Sequence, residues 1–230
     1  MKSAFPKIIG SFGCVALLAL TACDRASQQA VEPATQSPAA PAQTGSLIAA
    51  SDTQTTAEQL RFKREDGSEA FSIKFKPDGA KLVDGRDQEL ARFNLDENQK
   101  LKIKGPNEEV LGYVVAKDGY WKLENADQTK ELFILRRRED GDYKLEDGND
   151  TQLYRIKVRD YGYEIETPQK ESLYKVRVND GKVSLRNASG ETVISTKSPI
   201  APIAVASFGL DALSPEQQAA LAFAINRTEG

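Results

Sequence analysis

The sequence predicts a mainly β protein: an antiparallel meander of hairpin repeats, closed into a barrel of roughly twelve strands around a buried hydrophobic C-terminal helix. Three observations lead to this fold class. A phrase recurs at a period of about 20 residues along most of the chain. Each copy alternates apolar and charged residues, as strands do. The segment AALAFAI, residues 219–225, is apolar on every side, which is typical of a buried helix.

The repeat is visible in YRIKVRDYGYEIE, residues 154–166, which returns as YKVRVNDGKVSLR, residues 174–186. A truncated copy, LRFKREDGSEA, precedes the full units. A fixed period of this kind is typical of architectures in which every copy is one supersecondary unit. Six full units begin at residues 71, 91, 112, 133, 154 and 174.

Each unit is predicted to be a β-hairpin with one dry and one solvated face. Ile73 and Phe75 alternate with lysines, and Ile156 and Val158 alternate with basic residues. Asp-Gly pairs supply the positive φ angles of tight turns, and no EF-hand spacing surrounds these aspartates. The predicted turns lie at residues 78–79, 118–119, 140–141 and 180–181.

The number of strands predicts closure. An open meander of about twelve strands would leave two bare edges and would strain against its own twist. A barrel of about eight strands is the largest that its own side chains fill, so a barrel of roughly twelve needs a plug. The alternative is an open meander or solenoid with the helix packed on one face.

The C-terminal segment is predicted to supply the plug as a helix over about residues 214–227. Ser214 is suited to the N-cap, Pro215 to the first helical position and Gln217 to a capping box. The apolar residues 219–225 that follow are too few to span a membrane, so this helix is expected to be buried.

The N-terminal residues 1–22 are predicted to be a lipoprotein signal peptide. Lys2 and Lys7 form a positive region, and a short apolar stretch leads to Leu20-Thr21-Ala22-Cys23. This tetrapeptide resembles the lipobox of bacterial lipoproteins. The resemblance implies cleavage before Cys23 and acylation of its thiol, which would anchor the chain stably without a spanning helix. The alternative is an ordinary secretory signal that contains a cysteine.

Residues 23–58 are rich in Ala, Pro, Gln, Ser and Thr and are predicted to be a disordered tether before a domain at residues 59–230. Asp24 resembles the signal that retains enterobacterial lipoproteins in the inner membrane. The sequence therefore predicts a lipid-anchored protein of the bacterial envelope, on the periplasmic face, with the inner membrane favoured by Asp24.

The composition excludes several classes of chemistry. Cys14 and Cys23 are the only cysteines and the chain has no histidine, so the mature domain lacks thiol and imidazole chemistry. We therefore expect no enzyme, no cofactor and no metal site. Glu164 and Glu166 alternate on one strand as a carboxylate pair would, but neighbouring basic residues suit ion pairing better. The formal net charge of −3 also argues against a nucleic-acid partner.

The hairpin repeats of residues 71–194, followed by the tail SFGLDALSPEQQAALAFAINR, residues 207–227, resemble the tubby-like fold of tubby proteins, phospholipid scramblases and LURP-one-related proteins. Residues 208–210, Phe-Gly-Leu, and residues 226–227, Asn-Arg, match elements of the scramblase tail. The resemblance implies a closed twelve-stranded barrel threaded by a helix, and a role in binding membrane lipid. The calcium-binding segment and acylated cysteines of scramblases have no counterpart near the barrel.

By the same resemblance, basic residues on the barrel wall are candidates for contact with anionic lipid. The alternative is that they are solvated residues of strands, paired with glutamates on neighbouring strands. Tyr120 and Trp121, beside a predicted turn, would either touch a ligand or close one end of the barrel. The candidates are Arg136, Arg137, Arg138, Arg155, Lys157 and Arg159.

Two functions from different classes therefore stay open. The first is a lipid-anchored, non-catalytic binding module that engages anionic lipid or a lipid-like ligand. The second is an envelope interaction protein whose barrel docks another protein, with lipid entering only through the anchor.

Overall fold

The structure, a computed structural model, describes residues 58–230. The predicted signal peptide, the lipobox with Cys23 and Asp24, and nearly all of the predicted tether lie outside the described residues. Fourteen strands form one sheet, and two helices follow them. The strands are β1 (Gln59–Lys63), β2 (Glu69–Lys76), β3 (Gly79–Asp84), β4 (Glu89–Leu95), β5 (Leu101–Lys104), β6 (Val110–Lys117), β7 (Tyr120–Glu124), β8 (Glu131–Arg137), β9 (Tyr143–Asp147), β10 (Gln152–Arg159), β11 (Gly162–Glu166), β12 (Ser172–Asn179), β13 (Lys182–Asn187) and β14 (Thr192–Thr196).

All fourteen strands pair antiparallel with their sequence neighbours, and β1 pairs with β14, so the predicted closed barrel is confirmed. Each full repeat supplies a long and a shorter strand, which gives the twelve strands β2 to β13. The truncated copy supplies β1, and the last three residues of the sixth unit with the two that follow them form β14. The two ends of the repeat array thus form a seventh pair that closes the barrel.

The turns that join one unit to the next share a backbone conformation. Each of these seven turns has one residue with φ between 60° and 86°. Hairpin loops often place one left-handed residue next to a β-bulge, and this combination reverses the direction of the chain. The residues are Gly67, Asp87, Glu108, Gln128, Asp150, Lys170 and Gly190.

Turns within the units lie at the opposite end of the barrel, and a glycine there has a packing reason as well. A Cβ on Gly79 would lie 1.9 Å from the carbonyl oxygen of Phe93 on the neighbouring strand. Two strands therefore approach too closely at this point for any side chain. We call this end of the barrel the hairpin end, and the end with the seven joining turns the connector end.

The plug has two parts, of which the sequence predicted one. Helix α2 (Pro215–Glu229) has the predicted capping box: the Gln217 N–H donates to Ser214 Oγ, and the Gln217 side chain accepts from the Ser214 N–H at 3.0 Å. Residues 219–225 are all buried, as their composition predicts. A second, five-residue helix α1 (Pro202–Ala206) precedes it and also lies in the core.

Helix α2 runs along the barrel from the connector end to the hairpin end. Before its start, Phe208 of the 3-10 turn Ser207–Gly209 packs 5.0 Å from both Phe62 and Phe71, measured between ring centroids. Near its end, Asn226 Oδ1 accepts the Ala201 N–H at 2.8 Å, which ties the two parts of the plug together. Within residues 58–230, no helix has the length and apolar character needed to cross a membrane.

Candidate anion-binding surfaces

The six predicted basic residues lie close together, on β8, on the turn after it and on β10. We call them the arginine face. Strand β9 separates the two basic strands and brings acidic side chains between them. Arg137 lies on the same side of β8 as the buried Leu135 and pairs with Glu229 of α2, so it faces the barrel mouth, whereas Arg136 lies on the outer side of that strand.

Ion pairs occupy most of the arginine face. Arg155 Nη2 lies 2.7 Å from Asp142 Oδ2, and Arg136 Nε lies 3.1 Å from Glu146 Oε2. Asp142 and Glu146 are themselves buried, so these pairs are partly shielded from water. The same strand-to-strand pairing was the alternative that the sequence left open for this cluster.

The remaining members of the face differ in how closely they are paired. Arg159 Nη2 lies 2.8 Å from Glu164 and 3.1 Å from Glu166. Arg137 and Arg138 make longer pairs of 3.6 Å, with Glu229 and Asp140 respectively.

Lys157 makes no ion pair with any residue of the described domain.

Ser172 Oγ donates to Glu164 at 2.8 Å, and Arg159 pairs with both Glu164 and Glu166. The two carboxylates of the suggested acidic pair therefore face cations and a hydroxyl group. Contact of the arginine face with anionic lipid stays a prediction.

Asp142 organises the centre of the face. It accepts the Val158 backbone N–H at 2.9 Å and two N–H groups of Arg155 at 3.1 Å and 2.7 Å. Burial acts to raise the pKa of this carboxyl, but the Val158 hydrogen bond and the Arg155 guanidinium outweigh burial and hold the pKa below its ordinary value of 3.8. Asp142 is therefore ionised at neutral pH and serves as a structural anion.

The two aromatic side chains at the start of β7 lie on opposite faces of the barrel wall. Trp121 is 1% exposed and packs near Tyr143, with ring centroids 6.3 Å apart. Tyr120 lies on the outer face of the barrel, and its ring centroid is 5.5 Å from Cζ of Arg136. Burial raises the pKa of the Tyr143 hydroxyl to about 12, so this group stays neutral. Trp121 thus belongs to the core, in agreement with the second of its two predicted roles.

A second basic surface lies where the two ends of the repeat array meet, and the sequence did not predict it. Strands β1 and β14 share one register pair, Lys63 with Ser195, whereas β1 and β2 share five. The Arg61 backbone N–H donates to Ser198 Oγ at 3.0 Å, a side-chain contact in place of a ladder bond. We call this junction the seam.

A groove of about 550 Å³ lies along the seam. Its floor holds the buried residues Ser195 and Thr196. Glu65 is the only acidic residue that lines it, and the remaining lining includes five cations. The cations are Arg61, Lys63, Arg64, Lys182 and Lys197.

None of these five cations makes an ion pair with an acid of residues 58–230. The partners of Arg64 are neutral: it donates to the Glu69 carbonyl at 2.7 Å and to Ser68 Oγ at 3.5 Å. The Arg61 guanidinium lies against the Gln59 amide. The groove therefore holds a local excess of positive charge on a domain that is acidic overall.

One signal in the sequence could have revealed the seam. The truncated copy carries RFKR, residues 61–64, and Lys197 follows the last unit. These residues meet only if the two ends of the repeat array join. Inside the array many cations pair with an acid of a nearby strand or connector turn, but the two ends of the array come together only through closure of the whole barrel.

The comparisons with known proteins are sparse. No family model and no curated protein matches the chain. An X-ray structure of a protein from Arabidopsis thaliana matches at 11% identity and a TM-score of 0.37, covering 67% of this chain and 89% of that one. Alternansucrase in complex with isomaltononaose matches at 13% identity and a TM-score of 0.17, covering 55% of this chain and 12% of that one. Neither similarity is close enough to inform fold or function.

Proposed function

We propose that this chain is a lipid-anchored envelope protein whose barrel, of tubby-like fold, is a non-catalytic module for binding anionic lipid or a lipid-like anionic ligand on the periplasmic face. The observation that carries the proposal is the seam groove, where five cations lie together without acidic partners from residues 58–230. The Cys23 lipobox supports the anchor, and the hairpin repeats with their helical plug support the resemblance to lipid-handling barrels.

Electrostatics favour the seam over the arginine face as the binding surface. A cation near an anionic membrane surface gains about 1 kcal/mol when it is free to interact. An arginine already paired with a buried carboxylate, such as Arg155 with Asp142, must keep that partner or leave a buried charge alone. The cations of the seam carry no such constraint within the described domain.

The shape of the groove suits a small anionic group as well as its charge does. Its volume of about 550 Å³ lies within the range of ligand pockets. Hydroxyl groups line its floor, and a phosphate or carboxylate accepts hydrogen bonds from hydroxyl and ammonium groups alike. Because the domain as a whole is acidic, attraction must be local, and binding must orient the seam towards the anion.

Vesicle flotation tests this proposal. Residues 45–230, which contain the whole barrel and lack Cys23, are mixed with neutral or anionic vesicles at low and physiological salt. We expect binding to anionic vesicles that weakens with salt. Replacement of Lys63, Lys182 and Lys197 by glutamine should reduce binding at least tenfold, because three surface cations together contribute about 3 kcal/mol.

Two controls separate local from overall charge. Replacement of Lys76, Lys117 and Lys130 by glutamine removes the same charge from exposed positions that make no ion pair in the described domain, and it should change binding little. Replacement of Arg136, Arg137 and Arg138 tests the arginine face directly. Absence of binding under every condition would leave lipid to the anchor alone. Cross-linking in cells would then look for the protein partner of the second hypothesis.

A further inference from the structure

A second cavity, remote from the seam in sequence, lies at the hairpin end between the last turn of α2 and the barrel wall. Its volume is about 210 Å³ and it is partly enclosed. We call it the α2 cavity. Its lining consists of Leu95, Gln99, Leu101, Val114, Ala116, Ala224, Arg227 and Thr228.

The inner part of this cavity is apolar. Leu95, Leu101 and Val114 project inward from β4, β5 and β6, and Ala224 faces them from the helix. Small alanines at residues 116 and 224 leave the space that larger side chains would fill. An apolar cavity of about 150 Å³ suffices to bind benzene, so this one accommodates about eight carbon atoms.

The mouth of the cavity is polar and carries one cation. Arg227 is exposed, and its guanidinium lies 5.8 Å from the Phe223 ring centroid. It makes no ion pair with the acids of residues 58–230. Thr228 Oγ1 lies 3.1 Å from the Ile225 carbonyl and donates within the helix, so its proton is already used. Arg227 is therefore the charged donor that a ligand at this mouth would meet, beside the neutral amide of Gln99.

We propose that the α2 cavity binds a small amphipathic monocarboxylate, such as a medium-chain fatty acid. The alkyl chain lies against Leu95, Leu101 and Val114, and the carboxylate binds the Arg227 guanidinium at the mouth. An arginine fork matches a carboxylate with two parallel hydrogen bonds. This inference does not depend on the proposed function, because the two sites share no residue.

Two features restrict the ligand to this class. The volume excludes a long acyl chain or a sterol, since pockets for larger ligands begin at about 300 Å³. The β4–β5 turn that supplies Gln99 also carries Asp96 and Glu97, which disfavour a multiply charged anion. One carboxylate opposite one arginine is the charge balance that the mouth supports.

Titration of the ¹⁵N-labelled fragment 45–230 with octanoate tests the inference. We expect saturable amide shifts around Ala116 and Ala224, with a dissociation constant in the millimolar range because the ligand is small. Trp121, the only tryptophan, is the register partner of Ala116 and gives a second signal by fluorescence. No saturable shift up to about 10 mM, or shifts centred elsewhere, would overturn the proposal.

Variants separate the two parts of the site. Ala224→Leu fills the cavity and should abolish binding, and Ala116→Val is a milder filling change if Ala224→Leu fails to fold. Arg227→Gln should weaken octanoate about fivefold and leave 1-octanol unchanged, because an exposed charge pair contributes modestly. Equal octanoate binding by the wild type and by a folded, cavity-filled variant would refute the site. Equal loss of octanoate and octanol in Arg227→Gln would refute the role of Arg227.

Discussion

The arginine face and the seam are both rich in cations, and they differ in whether acidic side chains lie beside those cations. On the arginine face, β9 and the turn before it place Glu146 and Asp142 between two basic strands, and all of the cations except Lys157 are paired within the described domain. At the seam, β1 and β14 come from opposite ends of the described domain and share one register pair. Neither end strand brings an acidic ladder to face the other, and five cations stay without acidic partners in that domain.

The difference shows that an unpaired charge is more informative than a cluster of charges. Inside the array, acids of neighbouring strands and of the connector turns reach many of the basic positions: Lys81 pairs with Glu89, and Arg92 pairs with Glu89 and Glu108. These ion pairs stabilise the barrel modestly, and the paired cations are less available to an anionic ligand. The seam joins two incomplete units, and its charges are available to a ligand.

The largest expected effect is unfolding of the whole barrel, which would abolish both the arginine face and the seam. Deletion of residues 214–230 should abolish the cooperative thermal transition and the near-UV circular dichroism of the barrel. Burial of Leu221, Phe223 and Ile225 alone contributes about 6 kcal/mol, which is comparable to the whole stability of a domain. Truncation of Gly230 alone is the control and should change little. A deletion variant that kept a native barrel would point to a core independent of the helix.

The next largest effect is a loss of stability when the buried carboxylate of Asp142 is removed, compared with removal of the exposed carboxylate of Asp87. Asp142→Asn should lower the free energy of unfolding by about 2–3 kcal/mol, because it removes the carboxylate of a charge-assisted pair with Arg155 and leaves that guanidinium only the more distant Asp140, at 3.8 Å. Asp87→Asn, in the exposed pair with Lys74, should change it by less than about 0.5 kcal/mol. Urea unfolding measures both. Similar losses from the two variants would mean that burial does not distinguish these pairs.

A smaller effect should appear in local opening of the barrel wall. Backbone amides of β1 and β14 should exchange with solvent about tenfold faster than those of β10 and β11, because one register pair holds the seam. Hydrogen exchange followed by mass spectrometry measures this difference.

A cross-link provides the control for seam opening. Lys63→Cys combined with Ser195→Cys places two thiols at the paired positions of a domain that has no other cysteine after Cys23. Oxidation should slow exchange at the seam, and reduction should restore it. Exchange that is equal at the seam and in β10–β11 before oxidation would show that the junction is as firm as the rest.

The smallest expected effect is a dependence of stability on acid. Arg159 and Ser172 overcome burial and hold the pKa of Glu164 below its ordinary 4.5, as the contacts of Asp142 do for that carboxyl. Between the folded and unfolded pKa values the unfolded state binds more protons, so stability falls as the pH falls. We expect little change from pH 7 to pH 5, and a decline below the ordinary values of 4.5 and 3.8.

Comparison of Asp142→Asn with the wild type isolates the contribution of Asp142 to that decline. The variant should lose stability less steeply in acid, because the replaced group no longer titrates. Urea unfolding at several pH values measures the two slopes. Equal slopes would assign the acid sensitivity to other carboxylates.

Much of this architecture follows from local patterns that the sequence displays. Alternation around Ile156 predicted a strand with an inward and an outward face, and Ser214, Pro215 and Gln217 predicted the start of α2. Helix α1 was missed, because five residues are too few for periodicity to be visible. The seventh strand pair was hinted at only by the truncated copy.

Local sequence is enough to specify the content of the array: the strands and turns of each unit, and the apolar helix that must be buried. The period of a strand and the caps of a helix are set by residues a few positions apart. Which cations find an acidic partner within residues 58–230 depends instead on the fold as a whole. Arg61 meets Ser198 across 137 residues of sequence, and Arg227 reaches the cavity mouth only because α2 runs the length of the barrel. Such contacts depend on closure, which no local pattern specifies.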